Sequence, residues 1–225
     1  SRESLLCRRT SMKEMLSSHD YMHSILSLHS KWGIGHMTEH FLPDDLFHEI
    51  LDLLKSSNDE LFFDEDHLCY LHSMTQRTLA ESEIDLFIHC QALSDLVVDG
   101  NLDFYDQKVH LTLSQRKKYF NHLLHVFETN SNLTFKLAKE PMILDFKYQT
   151  NQCIFLSDQF SYIRLNTYNW ANNLAIINQP NLKHMFDRFF NAVWNDATSE
   201  LLSDYSEIHS FFIHIIQQIN ILSEI

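Results

Sequence analysis

Leu133-Thr134-Phe135-Lys136-Leu137, Ile143-Leu144-Asp145-Phe146-Lys147, Cys153-Ile154-Phe155-Leu156 and Tyr162-Ile163-Arg164-Leu165 are four short runs that decide the fold class. Each is rich in β-branched or aromatic residues and partly alternates apolar with polar, the pattern of a half-buried strand. They predict a small sheet of three to five short strands around 132–177, with Ala175-Ile176-Ile177 as its last strand. Asn178-Gln179-Pro180 then opens a helix, because proline suits a first helical turn. That helix sets Leu182, Met185, Phe186, Phe189, Phe190, Val193 and Trp194 on one face.

Upstream of the sheet the apolar spacing is helical. Residues 1–32 carry Leu5, Leu6, Met12, Met15, Leu16, Met22, Ile25, Leu26 and Leu28 at such spacing, with no glycine or proline before Gly33. Pro43-Asp44-Asp45 places acids in the first turn of a helix bearing Leu46, Phe47, Ile50, Leu51 and Leu54, where the macrodipole favours them. The stretch Ser73–Val98 reads as mostly helical up to the turn signal Asp99-Gly100-Asn101, and Ser114 as the N-cap of a helix with Tyr119, Phe120, Leu123, Leu124 and Phe127. The fold class is therefore α+β and mostly helical. It comprises a helical region over 1–110 and an α+β region over 111–225 that ends in long C-terminal helices, the two packed as one unit.

From Thr198 onward Leu201, Tyr205, Ile208, Phe212, Ile215, Ile219 and Leu222 recur at alternating intervals of four and three residues. That is a heptad seam, and it predicts an oligomerisation helix or a long core helix. Phe211, Ile213, Ile216 and Ile221 make the same helix apolar on other faces, which favours a homodimer.

Bulk composition narrows the function classes. The 225 residues include only three glycines and three prolines, so phosphate-cradling loops and rows of hairpins are scarce. A formal charge of −13 opposes contact with phosphate polymers. Arg8-Arg9 and Arg116-Lys117-Lys118 are too short and too poor in interleaved aromatics to override it. Cys7, Cys69, Cys90 and Cys153 form no C-x-x-C pair and read as buried thiols of a reducing compartment. With no signal-peptide pattern and no long uncharged apolar run, a cytoplasmic protein without membrane contact is expected.

Fifteen histidines invite metal readings. His36-Met37-Thr38-Glu39-His40 fits the H-x-x-E-H pattern, in which two imidazoles bind zinc and the glutamate activates water. The alternative function it implies is a metal-dependent hydrolase using His36, Glu39 and His40. Phe41-Leu42-Pro43 follows at once, however, and ends any supporting helix. No acidic third ligand stands about 75 residues on, where Leu111, Leu113 and Ser114 lie. His19/His23 and His122/His125 each supply half a site, and Asp64-Glu65-Asp66-His67 reads as a solvated acidic loop. G-x-S-x-G, Walker and dinucleotide-binding motifs do not occur, so a non-enzymatic protein without a cofactor is expected.

The segment from about Leu111 to Asn195 resembles the C-terminal effector region of bacterial helix-turn-helix transcription regulators. Asn132 to Leu137, Ile154 to Leu156, Ile163 to Leu165, and Asn178-Gln179-Pro180-Asn181-Leu182 through Phe190 carry the resemblance. It covers somewhat over a third of the chain and consists of packing residues. The resemblance implies a ligand-sensing and dimerising domain for a small-molecule or peptide ligand, reaching DNA only through a reader domain outside these residues. A helical protein-interaction adaptor is the other non-enzymatic reading.

Overall fold

Strand 83–89 buries Ile84, Leu86 and Ile88 on one face and Phe87 and His89 on the other, and it lies in the middle of the sheet. The computed structural model describes residues 8–10, 29–35, 39–57, 64–105, 107–139, 152–157, 161–167, 170–177, 179–195 and 201–224. Its strands are β1 (Arg8–Thr10), β2 (His29–Ile34), β3 (Glu83–His89), β4 (Asn101–Phe104), β5 (Gln107–His110), β6 (Leu133–Ala138), β7 (Gln152–Ser157), β8 (Ser161–Thr167), β9 (Trp170–Ile177) and β10 (Leu201–Leu202). Its α-helices are α1 (Asp44–Ser56), α2 (Glu65–Glu81), α3 (Cys90–Asp99), α4 (Leu113–Thr129), α5 (Pro180–Trp194) and α6 (Tyr205–Leu222), with a 3-10 turn at Glu39–Phe41.

The α+β class stands, and the sheet is wider than the sequence reading allowed. Eight strands run in the order β1-β9-β8-β7-β2-β3-β6-β10, and β4-β5 form a separate hairpin. β2, β3 and β6 are parallel, while every other pairing in the large sheet is antiparallel. The centre of the sheet thus draws β2 and β3 from the region read as helical and pairs them with β6 from the other half. Parallel neighbours need long crossovers. α1 and α2 bridge β2 to β3, and α3, the hairpin and α4 bridge β3 to β6.

Register fixes two layers of side chains. Trp32, Leu86 and Phe135 stand abreast, as do Ile34, Ile88 and Leu137. Together with Ile84 and Leu133 they face the main core, which α1, α2, α3, α4 and α6 close with Phe47, Leu71, Leu93, Phe120, Phe212 and others. On the opposite face Phe87, Ala138, Leu156 and Leu201 meet Phe186, Phe190 and Val193 of α5. Gly33 sits abreast of Phe87, whose ring lies where a Cβ at position 33 would go. Strand β3 therefore has one fully apolar face, Ile84, Leu86 and Ile88, and contributes Phe87 alone to the core on the other side, where Glu83 is exposed.

The helix ends explain three further differences. Thr112, rather than Ser114, caps α4 through a reciprocal capping box with Gln115. Asp64-Glu65-Asp66 is not a loop: Asp64 accepts the His67 amide proton and starts α2, with both following acids in its first turn. Arg116 of α4 is buried and donates to the carbonyls of Leu111, Val97 and Val98, tying the C-terminal end of α3 to the start of α4. Gly100 takes the left-handed conformation at that end, with φ 69°, and leaves the guanidinium the space a side chain would fill. The predicted strand 143–147 and the helical spacing over 11–28 lie outside the described residues.

Candidate functional site: the C-terminal helix and its two faces

Asp204 starts α6 by accepting from the Ser206 hydroxyl and from the amides of Glu207 and Ser206, and these bonds, the hydroxyl's first, hold its carboxyl below the usual range. The helix then runs eighteen residues. Its inner stripe, Ile208, Phe212, Ile215 and Ile219, is buried in the main core. Phe212 is completely enclosed; its ring lies 5.6 Å from that of Phe127 on α4 and 6.4 Å from that of Phe135 on β6. A clasp seals the near end of this contact. Tyr205 stacks on Phe127 at 4.9 Å and on His209 at 5.9 Å, and His209 lies 3.0 Å from Glu128.

The heptad residues therefore divide. Ile208, Phe212, Ile215 and Ile219 pack into the chain's own core, Tyr205 and Leu222 are exposed, and Leu201 is a buried residue of β10 paired with Ala138. Helical periodicity places Leu201 in the seam only if the helix begins before Asp204, which it does not.

The residues of α6 turned to solvent are others. Ile213, Gln217 and Ile221 follow one another at four-residue spacing, flanked by a parallel row of Ser206, Ser210, His214 and Gln218. Ile213 and Ile221 are 36% and 60% exposed. Rows at four-residue spacing are the ridges by which helices interdigitate. The whole helix carries one formally charged residue, Glu207, where the chain average would give about four. Core positions of protein interfaces are depleted of charge in this way.

The metal candidates are placed as follows. Glu39 and His40 are buried in the 3-10 turn after β2, where His40 meets the Trp32 ring at 5.5 Å, and His36 lies outside the described residues. His122 is half-buried and His125 exposed on α4, and His19 and His23 lie outside the described residues. Among the described residues no three His, Cys, Asp or Glu side chains are grouped to hold a metal ion. Burial pushes the Cys90 thiol up to about 11, so it is protonated at neutral pH and a poor nucleophile. Among the described residues no helix is long and apolar enough to cross a membrane.

The chain matches no protein family and no curated protein. Among solved structures it is similar to TrmBL2, an archaeal chromatin protein whose structure shows a novel mode of DNA binding, at a TM-score of 0.40 and 8% identity. The match covers 86% of this chain and 54% of that one, so the chain spans about half the length of TrmBL2.

Proposed function

We propose that this chain is a non-enzymatic regulatory module that works by self-association, the effector and dimerising part of a transcription regulator. The observation that carries the reading is the outward face of α6: an exposed apolar ridge on a helix almost free of charge, in a chain of net charge −13. Two such acidic bodies repel, and they approach best through a patch poor in carboxylates; here Glu207 is the helix's one acid. A second copy of the same chain presents the same ridge, the self-complementary requirement of a two-fold interface. The resemblance of the segment from about Leu111 to Asn195 to effector regions supports the regulatory assignment.

The mechanism is a population shift. α6 touches a second copy with one face and the main core with the other, so a ligand that alters core packing changes how the two copies sit. A DNA reader joined to each copy would be re-aimed by that change. The ligand class is a small molecule or a peptide.

Light scattering on the purified chain tests the association. The expected mass at micromolar concentration is twice 26.7 kDa. A mass of one chain across the range up to about 100 µM, well above the Kd of a stable standard-sized interface, would remove the basis of the reading.

A further inference from the structure

We propose that the corner where α1, α2 and α4 meet is a proton-operated latch, closed while His72 and His122 are neutral and loosened when they take up protons. It uses residues remote from the outward face of α6 and stands independently of the association reading.

The geometry is specific. The His72 ring lies flat on Phe47, with centroids 4.1 Å apart and planes 5° apart, inside the core. Its Nε2 is 2.7 Å from Oδ1 of Asp44, and its side chain is only 4% exposed. The carboxylate accepts, so Nε2 carries the proton and Nδ1 is left as a bare acceptor. Among the described residues Nδ1 of His72 and Nε2 of His122 are both buried with no hydrogen-bond partner. A neutral imidazole tolerates one unprotonated nitrogen without a partner. An imidazolium must donate from both. Protonating either ring in place therefore creates a buried N–H with nothing to receive it, the costly side of the hydrogen-bond asymmetry.

The surrounding charges do not reverse this. α1 brings Asp44 and Asp45, which favour the protonated rings, and also His48, whose Nδ1 lies 2.8 Å from the Asp44 carbonyl, and Glu49. α4 brings His125, which opposes protonation of His122, and Lys118, which is paired with Glu49 and Asp45. The 3-10 turn packed against α2 and α4 adds buried Glu39 and His40, and β4 adds buried Asp103. The balance falls on the side of burial, which is the leading influence on both rings and holds both below the ordinary histidine value, while His48 and His125 push the same way. The sign follows. The open corner binds protons at the ordinary value near ~6.5 and the closed corner resists them, so closure is complete above that pH and is lost as pH falls below it.

Hydrogen exchange read by mass spectrometry on the full chain at pH 7.5 and 5.5, corrected for intrinsic exchange, tests the latch. The expected result is an increase in opening on the order of tenfold for peptides of α1, α2 and the first half of α4 at the lower pH, with β3 unchanged. In a His72→Gln/His122→Gln variant that pH dependence should disappear. Should that variant fail to fold, ring-proton NMR of the wild-type chain decides: both rings are expected to titrate only together with loss of α2 amide signals. Rings that titrate at the ordinary histidine value while those amides stay in place, or an unchanged pH response in a folded double variant, would overturn the proposal.

Discussion

Replacing Ile213 and Ile221 together by glutamate is expected to dissociate the pair of chains without unfolding either. Each substitution removes an apolar side chain from the outward ridge of α6 and places an unpaired carboxylate where two copies would meet. Desolvating two such charges while losing two aliphatic contacts costs about 4 kcal/mol, on the order of a thousandfold in Kd. The fold should be unaffected, because both side chains are exposed and surface changes usually stay within ~0.5 kcal/mol. Val98→Glu on α3, also at an exposed apolar position (70%), is the matched control and should leave association intact. Sedimentation velocity and urea unfolding of the same samples separate the two effects. A double variant that still associates would show that another surface makes the contact.

The opposite phenotype is expected one face away. Phe212→Ala should destabilise the fold by about 3–5 kcal/mol, the range for removing a buried aromatic ring. Phe212 is fully enclosed between α4 and β6, and its neighbours Phe127 and Phe135 are themselves fixed in the sheet-to-helix layer, so the cavity can collapse only in part. The measurement is the urea midpoint at an unchanged slope. A shift worth less than about 1 kcal/mol would mean that the inner stripe of α6 does not anchor the helix.

These two stripes also show what the residues could and could not disclose. The heptad spacing of Ile208, Phe212, Ile215 and Ile219 was legible, and so was its consequence, a buried seam. Which body covers a seam is a tertiary fact that periodicity does not encode, and here α3 and α4 supply it. Ile213 and Ile221 stood out in the sequence only as excess apolar residues. Their significance comes from the charge-free rows beside them, visible once the inner side is known.

Strand β3 was hidden for a related reason. Ile84, Phe87 and Ile88 sit at i, i+3 and i+4, a helical spacing, yet Ile84, Leu86 and Ile88 face one core and Phe87 faces the other. Phe87 interrupts the otherwise alternating run Glu83-Ile84-Asp85-Leu86 and completes a helical spacing, and the strand joins the helices that flank it directly, α2 and α3. By contrast α5 was legible save for Met185, which the spacing puts on the apolar face and which is 51% exposed. Pro180 opens it, Gln179 caps it through the Leu182 amide, and a single apolar face meets the sheet.

The histidine corner was beyond sequence reasoning. His122 and His125 were visible as a local pair, but the partner that gives His72 its meaning, Asp44, is 28 residues away and reaches it only because α1 and α2 pack side by side. No local pattern announces such a contact, whereas the H-x-x-E-H string is purely local. Glu39 and His40 of that string prove to be buried residues of the turn between β2 and α1.

The division of α6 into a face for its own core and a face for a second copy is tested most directly by an isotope-filtered NOE experiment. Isoleucine-methyl-labelled chain would be mixed with unlabelled chain at equal concentration. Intermolecular contacts are predicted at the methyl groups of Ile213 and Ile221 and at neither Ile215 nor Ile219. Intermolecular contacts confined to Ile215 and Ile219, or a dimer showing none at Ile213 and Ile221, would contradict the account.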